Sequence, residues 1–465
     1  MKIIKIISTI IIVGLFFNSC MMGPNFQKPE VSSPEAYLGD YQATDSLNLR
    51  WWELFNDPLL DTMVYHALEY NMDVQMAAKR IEQARAYHGM TKADLWPSLN
   101  IEAGAGTGNY LGGGSKSGSS SNQFYVTPAL SWEIDFWGKY RRLSESAQAD
   151  LMASEFGMRS MQISLISDVI NYYFTLLDYK ERLAISKNTL ELRANSLDII
   201  QLRFEKGIIP ELDLNQAQAQ WAIALASIPV YERLVAQTEY TLSVLLGENP
   251  KRYLETNNIK EQSLEINIPA DLPSHLLERR PDIAQAEAEF RSQNAQIGAA
   301  VAARFPSFSL TGLFGVASND LASLTTGGMA WSAGASLLGP LFQFGKNKRR
   351  VEMERKKAEE MLINYEYTVI QAFRDVEDAL ISISTLKKQF DAQTIYFEAT
   401  NNASQLSVLR YDKGVTSYLE VLDSQRSAFE AELQLSETKQ NLLNAYVALY
   451  KSLGGGWLNP MEEQQ

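Results

Sequence analysis

The apolar positions of this chain fall first at helical spacing, then in strict alternation, then at helical spacing again, and the whole series is afterwards repeated. From Asp57-Pro58 onward, Leu59, Leu60, Met63, Ala67 and Leu68 share one helical face. Asn71-Met72-Asp73 reads as a break and a new N-cap, and the helix that follows runs to about Leu95, where Trp96-Pro97 ends it. The period then drops to two. Over 98–109, Leu99, Ile101, Ala103 and Ala105 alternate with Ser98, Asn100, Glu102 and glycines. Over 123–136, Phe124, Val126, Leu130, Trp132 and Ile134 alternate with Gln123, Tyr125, Thr127, Ser131 and Glu133. A weaker copy occupies 306–317 and 328–341, with Phe308, Leu310, Phe314 and Val316, then Met329, Trp331, Ala333, Ala335 and Leu337. Strands of about ten residues are long enough to cross a bilayer when tilted. The same alternation fits a soluble antiparallel sheet, packed on one face and wet on the other. Pro128 also removes a ladder donor from the second strand. The Gly/Ser-rich run 112–121 and the stretch 318–328 read as flexible hairpin connections.

After each strand pair the spacing predicts a very long helix, 138–206 and 345–412, each spanning roughly 100 Å at the helical rise per residue. Leu176, Leu183, Leu190, Leu197 and Phe204 form a heptad line, answered by Ile383, Phe390, Phe397, Ser404 and Tyr411. Such a line keeps a seam facing a partner helix and favours a left-handed supercoil. Both helices close on Lys-Gly, a C-cap signal, and return helices follow at 212–246 and 418–453, the first carrying a proline, Pro229, that should kink it.

The repetition is close at the level of residues. Leu202-Arg203-Phe204-Glu205-Lys206-Gly207 answers Leu409-Arg410-Tyr411-Asp412-Lys413-Gly414 at an offset of 207, as Trp137-Gly138-Lys139 answers Phe344-Gly345-Lys346. Asp73-Val74 and Pro97-Ser98 answer Asp282-Ile283 and Pro306-Ser307 at an offset of 209. A period this long exceeds the common solenoid units and marks a duplicated module. The organisation is a signal peptide at 1–19, a leader at 20–57 that reads as extended, a first module at 58–260, a second at 261–457 that opens with a helix over 282–304, and a tail at 458–465.

A net charge of −13 and a pI near 5.0 argue against a nucleic-acid partner. The single cysteine, Cys20, excludes an internal disulfide. Lys2 and Lys5, the apolar run from Ile3 to Phe17, and Asn18-Ser19-Cys20 form a secretory signal. A cysteine at the cleavage point resembles a bacterial lipoprotein signal and makes Cys20 the lipidation site, although Phe17 stands where leucine is usual. No later stretch reaches the roughly 20 apolar residues of a spanning helix. His66, His88 and His275 sit on separate elements, so no metal cluster is expected, and neither is a cofactor. Phe344-Gly345-Lys346-Asn347 fails as a phosphate loop, because Pro340 stands where its first glycine belongs. The basic run Lys346-Asn347-Lys348-Arg349-Arg350 reads as a solvated or headgroup-facing collar. No acid/base pair stands out, and the chain is not expected to be an enzyme.

Four strands cannot close a barrel, which needs about eight, and an open edge cannot face lipid. If the strands are in a membrane, several copies must share one barrel. Gly23-Pro24-Asn25-Phe26-Gln27-Lys28-Pro29, Trp51-Trp52-Glu53-Leu54-Phe55-Asn56-Asp57-Pro58-Leu59-Leu60 and Leu276-Leu277-Glu278-Arg279-Arg280-Pro281-Asp282-Ile283 resemble, in the right order, motifs of the TolC/OprM family of outer-membrane efflux ducts, lipoprotein (NodT-like) branch. That resemblance implies a mainly α fold with a membrane β-barrel, in which four strands per chain enter a shared twelve-stranded barrel of a homotrimer. It also implies a long α-helical coiled-coil barrel in the periplasm, an anchor in outer-membrane lipid, and docking onto a periplasmic adaptor protein and an inner-membrane pump of the RND type. The family's periplasmic gate is lined by carboxylates and closed by polar links. By resemblance these map onto Glu420 and Asp423, and onto Asp213 and Tyr411, while Thr416 stands where some members have arginine. At Asp213 and Glu420, plain complementarity to a helix N-terminus explains the charge equally well. A type I protein-secretion duct and a lipid-anchored periplasmic coiled-coil scaffold are the alternative functions.

Overall fold

The computed structural model describes residues 21–31, 34, 37–38, 50–108, 121–253, 257–264, 277, 279–326 and 328–455. The expected signal peptide, Cys20, most of the first hairpin linker, His275 and the tail lie outside the described residues. In chain order the main elements are α1 (Pro58–Tyr70), α2 (Met72–Ala93), β1 (Ser98–Gly108), β2 (Ser121–Ile134), α3 (Lys139–Glu205), α4 (Glu211–Leu245), α5 (Pro281–Ala302), β3 (Ser307–Ser318), β4 (Met329–Leu338), α6 (Lys346–Asp412) and α7 (Tyr418–Ser452).

Local chemistry sets the boundaries. Asp57 Oδ1 accepts from the amides of Leu59 (3.1 Å) and Leu60 (3.3 Å), and Pro58 occupies the first helical position of α1. Asn71 Oδ1 accepts from the amides of Asp73 (2.9 Å) and Val74 (3.2 Å) and so starts α2. The long helices α3 and α6 end alike. Gly207 and Gly414 adopt positive φ, and the amides of Ile208 and Val415 reach back to the carbonyls of Arg203 (2.9 Å) and Arg410 (3.0 Å). This is the glycine-closed cap that the Lys-Gly pairs predict. Strand β4 stops at Leu338, short of 341, because Gly339 packs against Pro306 and Pro340 cannot donate to a ladder. Helix α4 continues through Pro229 without ending.

The leader departs from the extended path expected of it. Trp51–Phe55 forms a short 3-10 turn whose Trp51, Trp52 and Phe55 are buried. So much adjacent aromatic surface is more stable away from water, and Asn56 in the left-handed conformation turns the chain into α1.

The described chain forms two compact units, and each draws on both modules. One contains the described residues within 21–30, 79–155 and 285–366, the other those within 31–78, 156–284 and 367–455. The first holds the four strands and a docked stretch of leader. There the Arg142 guanidinium donates to the carbonyl of Met22 (3.2 Å), to Asn25 Oδ1 (2.8 Å) and to Glu145 (2.8 Å). Gly23 crosses Gly298 so closely that a Cβ on Gly23 would lie 2.4 Å from the Gly298 Cα. The second unit holds the main apolar core, in which Trp51 stacks on Tyr450 at 5.1 Å and Phe55 meets Phe174 edge-on at 5.0 Å. Arg280 is buried there and donates to Asp282 (2.6 Å) and to the Ser452 carbonyl (3.2 Å).

Candidate functional site

The four strands form one antiparallel sheet in the order β1-β2-β3-β4. Register decides which side chains share a face. Leu99↔Leu130, Ile134↔Phe308 and Phe308↔Leu337 are paired, so the apolar sets of all four strands line up on one side. Ser98↔Ser131, Glu133↔Ser309 and Ser309↔Ser336 line up on the other. In the isolated chain the apolar side is open: Ile101 and Trp331 are each 74% exposed. A continuous apolar face of this kind marks contact with lipid or with a partner. Pro128 is accommodated in a central strand because the β2–β3 ladder skips Thr127 and Pro128. Opposite that gap a Cβ on Gly315 would meet the Val126 carbonyl at 2.3 Å, so only glycine lets the strands close up there.

The second candidate lies at the helix turns α3–α4 and α6–α7, within the second unit. Ile200, Ala217, Tyr418, Val421 and Leu422 form a small buried cluster against which Leu197, Ile209, Val408 and Tyr411 pack. Tyr411 and Tyr418 are 5.2 Å apart. Burial, then the neighbouring Tyr411 and Asp213, push the Tyr418 phenol up to about 12, so it stays protonated. Among the described residues, no hydrogen bond joins Asp213 to Tyr411 within one chain. Tyr411 instead lies under the Arg203 guanidinium, 5.1 Å from its ring centroid, and Arg203 also pairs with Asp412 at 3.0 Å. Burial works against the Arg203 charge, but Tyr411 and Asp412 outweigh it and raise its affinity for the proton.

Glu420 and Asp423 each have a cation beside them. Arg410 approaches Glu420 at 3.8 Å, and the Thr416 hydroxyl donates to the same carboxylate. Arg426 pairs with Asp423 at 2.7 Å. The sequence reading passed over Arg203, Arg410 and Arg426. The i,i+3 spacing gave a signal for Arg426, and Arg203 and Arg410 are equivalent positions of the repeat.

The family model described as outer membrane efflux protein matches residues 63–248 and 272–455, one stretch in each module. This chain belongs to the outer membrane efflux protein family. The solvent efflux pump outer membrane protein SrpC of Pseudomonas putida is 34% identical over 454 residues, covering 95% of this chain and 97% of SrpC. The cation efflux system protein CusC of Escherichia coli O6:H1 (strain CFT073) is 32% identical over 453 residues, covering 96% and 97%. The solved outer-membrane channel OprN superposes with a TM-score of 0.87 at 28% identity, covering 94% of this chain and all of OprN. The chain is therefore an outer-membrane efflux channel, a conduit and not an enzyme. An exposed apolar face on strands of this length suits contact with lipid.

Proposed function

We propose that three copies of this chain form the outer-membrane duct of a tripartite efflux system, passing small molecules from the periplasm to the exterior. The carrying observation is the sheet, which has a continuous apolar face and free edges at β1 and β4. Four such strands are insoluble in lipid alone, and three copies supply a closed barrel of about twelve, within the known range. A periplasmic scaffold would leave this face without a role. The long helices extend the duct inward to a periplasmic adaptor and an inner-membrane pump of the RND type. Cys20 adds a lipid anchor, and the docked leader residues that follow it favour this placement.

In this reading Glu420 and Asp423, one helical step apart at the start of α7, face the axis as stacked acidic rings and make the duct cation-selective. Arg410 and Arg426 temper that charge. Asp213 and Tyr411 belong to the same entrance. Mass in mild detergent tests the assembly, and planar-bilayer conductance tests the gate. Glu420→Ala with Asp423→Ala lowers cation selectivity and relieves block by divalent cations added on the periplasmic side. A double variant that keeps both selectivity and block places the acidic rings elsewhere.

A further inference from the structure

Arg193 is a buried cation without an ion pair among the described residues. On α3 it stands three residues after Leu190 and four before Leu197, so it takes the second apolar position of the heptad seam, in line with the buried Ser186 and Ile200. It is 4% exposed. Its Nη1 donates to the carbonyl of Gln220 on α4 at 2.7 Å, and its guanidinium lies 5.2 Å from the ring centroid of Phe429 on α7. Nε and Nη2 are buried and, among the described residues, have no acceptor, and the buried Oε1 of Gln220 has no donor. Burial lowers the proton affinity of Arg193, with Tyr418 and Glu430 acting against it. Arginine keeps its proton in proteins, so the charge is carried into the seam.

Taking a charge out of water is costly, and an apolar residue of similar volume in its place is often neutral or stabilising. The Phe429 face and one carbonyl return part of that cost. A polar residue on a helical seam can be kept because the bond it makes fixes register. Such a bond needs one acceptor, and Arg193 leaves two nitrogens over. The duplicated module does without the charge. At the offset of 207, Arg193 is answered by Thr400, whose hydroxyl donates to the Tyr396 and Phe397 carbonyls of its own helix at 2.9 and 3.1 Å. The cation therefore belongs to the contact of α3 and α4 with α7 alone. It lies seven residues along α3 from Ile200, which joins Tyr418 and Val421 in the turn cluster.

We propose that Arg193 sets how readily the entrance opens. Its unpaired charge opposes the packing of α7 against α3 and α4, and parting of these helices returns the guanidinium to water. The closed arrangement thus carries a cost that the open one does not, and the equilibrium between them is biased toward opening. This rests on the reading that the entrance lies at the helix turns, and adds to it the residue that tunes it.

Two substitutions in the full-length protein remove the opposition in different ways. Arg193→Met keeps an apolar stem without the charge. Gln220→Glu puts a carboxylate, isosteric with the amide, on the residue that Arg193 already touches. Each should lower the open probability in planar-bilayer recordings at least several-fold, and raise the temperature at which helical dichroism is lost in detergent. Together they leave a buried carboxylate without its cation, so the double variant should lose both gains. An Arg193→Met protein that opens as often as wild type, melts lower or fails to fold overturns the proposal, as does a double variant as tightly closed as Arg193→Met alone. Glu420→Ala with Asp423→Ala, recorded alongside, separates the two readings. If that variant loses cation selectivity while Arg193→Met opens like wild type, the entrance is at the turns and the role of Arg193 fails. If it keeps selectivity and block, the location of the entrance fails, and the proposal with it.

Discussion

Asp57 is buried and gathers four donors in one carboxylate. Besides the amides of Leu59 and Leu60, it accepts from the Tyr173 hydroxyl at 2.6 Å and from Gln262 Nε2 at 2.8 Å. Burial, together with the Asp57 carboxylate, drives the Tyr173 phenol well above its ordinary range, so it remains a donor. Asp57→Ala removes a helix cap, worth about 1 kcal/mol, and orphans two buried donors at about 1–3 kcal/mol each. The carboxylate's own desolvation is recovered, and contributions at one site do not add, which leaves about 4 kcal/mol. Asp57→Asn should behave differently. Asparagine caps as well as aspartate, and Gln262 Oε1 is buried without a partner, so a turned Gln262 amide can accept from the new Nδ2. What remains is the Tyr173 hydroxyl, which loses its acceptor at a loss of about 1 kcal/mol. At about 2–4 °C per kcal/mol, thermal loss of helical dichroism in detergent should move down by about 10 °C for alanine and about 3 °C for asparagine. If alanine stays within 2 °C of wild type, or asparagine is as damaging as alanine, the network does not stabilise this core as argued.

Two further outcomes follow from the leader dock and the turn cluster. A Cβ at position 298 would lie 2.7 Å from the Arg142 Nε and 2.8 Å from its Cδ, so Gly298→Ala displaces the guanidinium that holds Met22 and Asn25; hydrogen exchange over residues 21–27 should rise at least tenfold, and unchanged protection refutes the dock. Arg203→Ala removes the cation over Tyr411 and the exposed pair with Asp412, together about 1–2 kcal/mol per chain; single-channel recordings should show more frequent opening, and an unaltered open probability means the turn is held by other contacts.

Much of the fold was written in local order. The switches of period, the caps at Asp57, Asn71, Gly207 and Gly414, and the duplicated hairpins depend on residues a few positions apart, and short-range chemistry suffices to read them. Trp51–Phe55 was misread as extended because its partners, Phe174 and Tyr450, lie far along the chain. The same holds for Gln262 on Asp57 and for Arg142 on Asn25. A motif can be conspicuous in sequence while its reason, burial against a distant helix, is not.

At the turns, residue type was legible and partnership was not. Glu420 and Asp423 announce negative charge on one helical face, and Arg426 completes an i,i+3 pair that spacing alone could supply. Arg203 and Arg410 are the same position of the repeat, so sequence gives no ground for treating them differently. The fold does: Arg203 reaches Asp412 and the Tyr411 ring, and Arg410 turns to Glu420. Helix α6 thus supplies the anion and ring for one arginine, while the other takes its anion from the first turn of α7. Identical residues in duplicated modules acquire different roles because Arg203 reaches across to the second module, whereas Arg410 pairs within its own. An arginine missing at Thr416 therefore does not leave these helix turns without a cation, since Arg203 on α3 and Arg410 on α6 both bring charge to them.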